Sequence, residues 1–289
     1  LDVAEPEYSV YDFKNYRYQL GSVQEVGNIY PKYYLKAFYD GMTAEGDTMP
    51  ISLIRSAWAG SAKYGALVWS GDIVSTFECF RRQVQAGLNM AIAGIPWWTT
   101  DIGGFHGART DDPDFHRLYI RWFEYGCFCP VMRLHGNRNP QEGYGAEQIG
   151  SGSDNEIWSF GDKAYEISKK YIFLRERLRD YIRTQMKKAH EDGTPVMRPV
   201  FYDFPTDQES WNVEDAYLFG PDLYVAPVME DHVTEREVYL PDGTAWFNAW
   251  TGEKYEGGQN VTVAAPLDTI PVFVKEGADA EKLLNIFSE

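Results

Sequence analysis

The feature that most constrains this chain of 289 residues is an alternation that runs through its first two thirds. Short apolar runs at 51–54, 65–69, 90–98 and 128–134 are separated by stretches of helical periodicity at 31–41, 75–87 and 114–125. Strands that alternate with helices pair in parallel, because the crossover helix returns the chain to the start of the next strand. Several of the runs end in polar or glycine-rich tips: RSAWAG, WSGD, WWTTDIGGFHG and RLHGN. Function at the carboxyl ends of successive parallel strands is the habit of the (β/α)8 barrel. A doubly wound sheet would give the same alternation, but the phosphate-binding glycine fingerprint of that fold is missing here.

Residues 161–192 read as one long helix that closes the barrel region, with Ile167, Tyr171, Leu174, Leu178, Tyr181 and Ile182 on a single apolar face. Its Lys and Arg residues form a solvated face. After about 195 the pattern changes to short strands: AYLFG, LYVAPVM, REVYLPDG, AWFNAWTG, NVTVAAPLD and IPVFVKEG. Asp242-Gly243 and Gly257-Gly258 suit tight hairpins between such strands. The reading is an α/β barrel region over 1–194 and a small antiparallel β domain over 195–289.

Composition removes several functions. A net charge of −16 and a pI near 4.8 repel phosphate backbones and anionic lipid, so neither nucleic acid nor a membrane is an expected partner. No apolar run approaches the roughly 18 residues of a membrane span. Aromatics reach 16%, which by itself means core filling before sugar stacking. Cys79, Cys127 and Cys129 are odd in number and lack zinc spacing; the last two sit in an aromatic, strand-like run as buried free thiols. A reducing, cytoplasmic location is expected from them. The five histidines are scattered, without the ligand spacing of a metal-dependent barrel hydrolase. Neither a metal nor another cofactor is expected, and the oligomeric state is not legible.

Three carboxylates stand at strand ends among aromatic and glycine neighbours. They are Asp2 in LDVAEPEY, with Glu5 and Glu7 behind it, Asp72 in VWSGDIVS, and Asp101 in WWTTDIGGFHG. Any one of them alone is as readily a turn or cap residue. Three in one barrel-like region exceed what turns need. Retaining glycoside hydrolysis uses two such groups about 5–5.5 Å apart, one ionised to attack and one protonated to assist the leaving oxygen.

These stretches resemble glycoside hydrolase family 31, the α-glucosidase and α-xylosidase family. The matching segments are LDVAEPE, NIYPKYYLKAFYDGM, RSAWAGSAKYGALVWSGD, AGLNMAIAGIPWWTTDIGGF, RLHG and APLDTIPVFVKEG. The resemblance covers nearly the whole chain. It implies the C-terminal half of a (β/α)8 TIM barrel followed by a small antiparallel β-sandwich domain. The family's W-x-D-x-x-E nucleophile falls on Asp2, with its Trp before Leu1, and its Glu falls on Glu5, in a role supporting the nucleophile or touching substrate. The W-x-G-D acid/base falls on Asp72. Asp101 and His135 resemble the groups that hydrogen-bond the sugar, Arg55 matches an arginine of the same subsite, and Trp69 and Phe105 would be apolar walls. Without the motifs, His135 reads as a satisfied core histidine and Arg55 as a structural ion-pair partner. Trp97 and Trp98 read as largely core, and His106, His116, His190 and His232 as surface. Asp2-Val3-Ala4-Glu5 replaces the D-M-N-E of many glucosidases and lies nearer the xylosidase-like branch.

The resemblance thus implies a retaining α-glycosidase that removes terminal α-linked glucose or xylose from oligosaccharides through a covalent glycosyl-enzyme intermediate. An α-transglycosylase on the same scaffold and an inactive carbohydrate-binding fragment are the alternatives; the presence of both aspartates speaks against the latter. A chain that opens inside a motif reads as part of a longer one. The 289-residue chain by itself is therefore expected to be inactive or to aggregate; hydrolysis of an aryl α-glycoside by this chain alone would contradict that.

Overall fold

The computed structural model describes residues 1, 2, 5, 15–140, 152–277 and 279–288. Glu7 lies outside them. Three strands, β1 (Ser52–Ile54), β2 (Ala66–Trp69) and β3 (Trp98–Thr99), form a parallel sheet in that order, with Leu53 opposite Leu67 and Val68 opposite Trp98. The Leu1 nitrogen donates to the Leu53 carbonyl, which sets Leu1 alongside β1. Helices α1 (Tyr30–Ala44), α2 (Phe77–Ile92) and α3 (Pro113–Cys127) supply the alternation. Thr76 caps α2 by accepting from the Cys79 amide at 3.1 Å. Asp112 caps α3 from 2.9 Å, followed by a proline in the first turn, where its missing N–H costs nothing. Phe80, Val84, Leu88 and Ala91, spaced at four and three, bury one face of α2.

Two of the expected strands come out differently. The run 90–98 is mostly not extended: α2 continues to Ile92, the chain turns through Gly94 at φ 77°, and only Trp98 enters the sheet. An apolar run cannot by itself distinguish a buried helix end from a strand. The run 128–134 forms no regular strand. Cys127 is the last residue of α3, and only Val131 N–H to Trp98 O and Arg133 O to Ile102 N–H, each 3.2 Å, tie the segment alongside β3. Cys127 and Cys129 are free and buried; Cys79 is free and half-buried.

The long helix is two helices, α4 (Gly161–Arg177) and α5 (Arg179–Asp192), meeting at Leu178. Helical bonding continues through the joint, from Leu178 N–H to Leu174 O and from Ile182 N–H to Leu178 O, both 2.9 Å. Ile167, Tyr171, Leu174, Leu178 and Ile182 share the buried face. Gly193, at φ 79°, ends α5.

Beyond it lie β4 (Met197–Arg198), β5 (Tyr217–Phe219), β6 (Leu223–Val225), β7 (Glu235–Leu240), β8 (Ala245–Asn248), β9 (Lys254–Glu256), β10 (Gln259–Ala264), β11 (Val272–Lys275) and the helix α6 (Ala280–Ser288). Six strands pair antiparallel in the order β9-β8-β11-β6-β5-β4, and β7 pairs with β10 in a second sheet. Alternation assigns the faces. Leu218, Tyr224 and Phe273 meet Val238, Leu240, Val261 and Val263 between the sheets, while Tyr217, Phe219, Leu223, Val225, Val272 and Val274 join the barrel core. Neither expected hairpin forms. Asp242-Gly243 links β7 to β8 and Gly257-Gly258 links β9 to β10, and both turns carry the chain from one sheet to the other. A side chain at Gly257 would lie 2.1 Å from the Pro241 carbonyl oxygen.

One buried cation joins the two regions. Arg121 of α3 donates to the carbonyls of Ala265 (2.7 Å), Val233 and Pro266 (both 3.0 Å) and Thr269 (3.3 Å), and reaches the fully buried Glu124 at 3.2 Å. Lys170 and Tyr171 of α4 donate to Asp268 O on the same loop, at 2.7 and 3.2 Å. Burial raises the Glu124 carboxyl to about 8, so Arg121→Met strands several buried carbonyls without a donor rather than a lone charge. Its expected cost is about 1–3 kcal/mol in urea unfolding.

Candidate active site

The carboxyl ends of the parallel strands bring the sequence candidates to one rim. Arg55 follows β1, Asp72 follows β2 through Ser70 and Gly71, and Asp101 stands two residues beyond β3. Gly71, at φ 77°, makes the turn that presents Asp72. The loops are stitched together by backbone bonds: Phe105 N–H to Ile73 O at 2.7 Å, and Asn137 N–H to Phe105 O at 2.8 Å. Asp72, Phe105 and His135 therefore stand on neighbouring, mutually bonded loops.

Arg55 is the hub. Its Nη1 lies 3.4 Å from Asp2 Oδ1 and 3.9 Å from Asp72 Oδ2. Its other edge is taken by Glu5, with Nε against Oε1 and Nη2 to Oε2 at 3.1 Å. The arginine side chain is 19% exposed, against 69% for Asp2 and 48% for Asp72, so the cation is recessed and the two aspartates open outward. The bond to Glu5 foremost, with the charges of Glu5, Asp2 and Asp72, raises the Arg55 pKa. One nitrogen thus faces both aspartates, and their nearest oxygens are separated by no more than these two distances laid end to end.

Asp101 is fully buried. Arg133 donates to its Oδ1, while Oδ2 is one of the buried side-chain oxygens that find no hydrogen-bond partner among the described residues. Burial, aided by the charge of Asp72 and opposed by Arg133 and Arg138, pushes its carboxyl up to about 6. The Arg133 guanidinium lies over the Trp69 ring, 5.6 Å from its centroid, so Trp69, only 7% exposed, sits inward beneath an arginine. Phe105 is half-buried, with its ring centroid 5.4 Å from that of His135. His135 is exposed rather than a core histidine. Partial burial, then Arg133 and Arg138, lower its pKa, favouring the neutral ring, which can both donate and accept. Trp98 is buried, Trp97 half-buried and His106 exposed.

Two arginines close to the site escaped sequence reasoning. Arg133 opens the RLHG motif itself, and its partner could have been sought among the strand-end carboxylates. Arg138 is fully buried and donates to Gly104 O (2.7 Å), Ile102 O (3.1 Å) and Asn155 Oδ1 (2.8 Å), 4.8 Å above the Phe115 ring. It holds the loop that follows Asp101. Gly104 has φ 78°, and a Cβ there would lie 2.7 Å from Ser75 Cα, which explains the glycine in that motif. Among the described residues, no group of three or more His, Cys, Asp and Glu side chains is arranged to hold a metal ion. No described helix is long and apolar enough to cross a membrane.

Comparison with known families decides the kinship. The glycosyl hydrolases family 31 TIM-barrel domain matches residues 1–185, and the family 31 C-terminal domain matches residues 193–278. The chain belongs to glycosyl hydrolase family 31. It carries part of the family's TIM barrel followed by its C-terminal β-sheet domain. An α-xylosidase of Saccharolobus solfataricus is 36% identical over 283 residues, 96% of this chain and 37% of that enzyme. An uncharacterized family 31 glucosidase of Pseudescherichia vulneris is 60% identical over 141 residues, 49% of this chain and 27% of that protein. The crystal structure of a family 31 α-xylosidase from a soil metagenome, complexed with xylose, superposes with a TM-score of 0.93 at 56% identity, covering 97% of this chain and 42% of that one. The chain therefore spans well under half the length of these relatives.

The raised Asp101 carboxyl has a consequence for stability. Between the ordinary value of 3.8 and about 6 the folded protein keeps a proton that the unfolded chain has released. The contribution is present below 3.8 and is lost as pH rises to 6. Stability is expected to decline on the order of 2–3 kcal/mol across that window from this group, measured by urea unfolding. In Asp101→Asn the decline should be flatter; an unchanged pH slope would contradict the assignment.

Proposed function

We propose that the protein is a retaining α-glycosidase that removes terminal α-linked xylose, or glucose, from oligosaccharides. The observation that carries this reading is the shared approach of Asp2 and Asp72 to one nitrogen of Arg55. The bound on the separation of their nearest oxygens admits the ~5–5.5 Å of a retaining pair. Asp2 attacks the anomeric carbon while Asp72 gives its proton to the leaving oxygen. Asp72 then takes a proton from water, which releases the sugar from Asp2. Arg55 places positive charge beside both carboxylates. His135 and Asp101 bind sugar hydroxyls, bonds that assist catalysis where they tighten as the oxocarbenium ion forms. Phe105 offers an apolar wall, with Trp69 behind it under Arg133.

Similarity to two α-xylosidases, one with bound xylose, supports the xyloside. Similarity to a family 31 glucosidase favours the glucoside as second reading. Transfer to a sugar hydroxyl would use the same intermediate, with the acceptor site deciding the outcome. The same reading divides the chain into a barrel part, 1–194, and a β domain, 195–289, at the turn after α5. The three free thiols fit a reducing, cytoplasmic location.

The test is turnover of matched aryl α-xyloside and α-glucoside by the full-length protein. Asp2→Ala and Asp72→Ala should each lower kcat by about 10²–10⁴-fold or more, and the xyloside should be turned over faster. Full activity in either variant would remove that residue from the pair.

A further inference from the structure

Glu5 touches Arg55 along one edge of the guanidinium, through Nε and Nη2, and leaves Nη1 to face Asp2 and Asp72. This division matters because of what an arginine does when unconstrained. Its planar fork pairs most favourably with a carboxylate in a bidentate, two-bond arrangement. Asp2 and Asp72 are both near enough to compete for that arrangement. Either would then be held by two short bonds, with its lone pairs directed at the guanidinium and away from a sugar. In the structure neither is held that way: the Arg55 contacts of 3.4 and 3.9 Å exceed the 2.7–3.2 Å of a normal N–H···O bond. Both aspartates feel the cation without being tied down by it.

We infer that Glu5 is a positioning residue that occupies the bidentate edge of Arg55 and so keeps that arginine from capturing either Asp2 or Asp72. Glu5 is well placed for this. Its side chain is 25% exposed and that of Arg55 is 19% exposed, so the pair is more shielded from water than the aspartates it serves. The Glu5 bond is also the foremost cause of the raised Arg55 pKa, ahead of the charges of the two aspartates. The alternatives implied by the family motif, contact with substrate or with the nucleophile, would make Glu5 act directly. Here it acts through Arg55.

The inference rests on the assignment of Asp2 and Asp72 as the catalytic pair, and its test is separable from the test of that pair. It is a double-mutant cycle in the full-length protein, with kcat and KM measured on one aryl α-xyloside. Rates are normalised to the active sites titrated with a fluorinated glycosyl fluoride that traps the glycosyl-enzyme. Glu5→Gln puts an amide N–H₂ against the guanidinium and releases the fork. It should lower kcat per titrated site about tenfold or more while KM changes less than threefold. Glu5→Asp, which keeps the charge, should recover part of the loss. Lysine has no fork to aim, so in an Arg55→Lys background the Glu5→Gln change should have little further effect. Effects of the two changes that multiply, or a Glu5→Gln loss that falls on KM alone, would overturn the inference and return Glu5 to direct contact with nucleophile or sugar. A normal Glu5→Gln rate would overturn it as well. Failure of the catalytic assignment would show itself differently, as activity surviving in Asp2→Ala or Asp72→Ala.

Discussion

The arrangement depends on one guanidinium at the end of a short parallel strand. Arg55 is recessed beneath a rim to which the chain brings three carboxylates, Asp2, Glu5 and Asp72, from both sides of β1. A cation recessed among three carboxyl groups offsets the negative charge they bring together. The parallel register makes the gathering possible. Because the strands of such a sheet end on the same side, Arg55, Asp72 and Asp101, each following one of three successive strands, arrive at one edge. Each short strand therefore has a consequence beyond its own hydrogen bonds, since it fixes where its successor residue stands.

Around that hub the protein uses other arginines as fasteners. Arg133 sits between Asp101 and the Trp69 ring, so a buried carboxylate and an aromatic are held by the same cation. Arg138 binds the carbonyls of the loop after Asp101. Arg121 does for the β domain what Arg138 does for the loop, collecting carbonyls from the segment before β11. A planar group with five donors suits this work better than an ammonium, because one side chain can satisfy several carbonyls in fixed directions. The motif APLDTIP in the β domain is thus explained by docking: its backbone oxygens are the ligands of Arg121, Lys170 and Tyr171.

Much of this was legible in the sequence, and the exceptions have a common cause. The parallel strands, the helices between them, the β domain and the convergence of Arg55 with Asp2, Glu5 and Asp72 follow from periodicity and motif. The failures concern pairing between distant segments. Asp242-Gly243 and Gly257-Gly258 are turns, as their residues require, but a turn does not reveal which strand will pair with which; here the core between two sheets decides. The run 90–98 is apolar because it is buried, and burial does not distinguish the end of α2 from a strand. Arg133 and Arg138 were passed over because an arginine in a loop reads as solvated until a buried carboxylate or a set of carbonyls is found to face it.

The central claim is that Asp2 and Asp72 act on opposite sides of one anomeric carbon, with a covalent intermediate on Asp2. The stereochemistry of the first-formed product tests it most directly. Proton NMR of the early reaction of the full-length protein with an aryl α-xyloside distinguishes the anomers before mutarotation mixes them. The account predicts α-xylose, the retained configuration. Initial release of the β-anomer would contradict it, since inversion leaves no place for a glycosyl bond to Asp2.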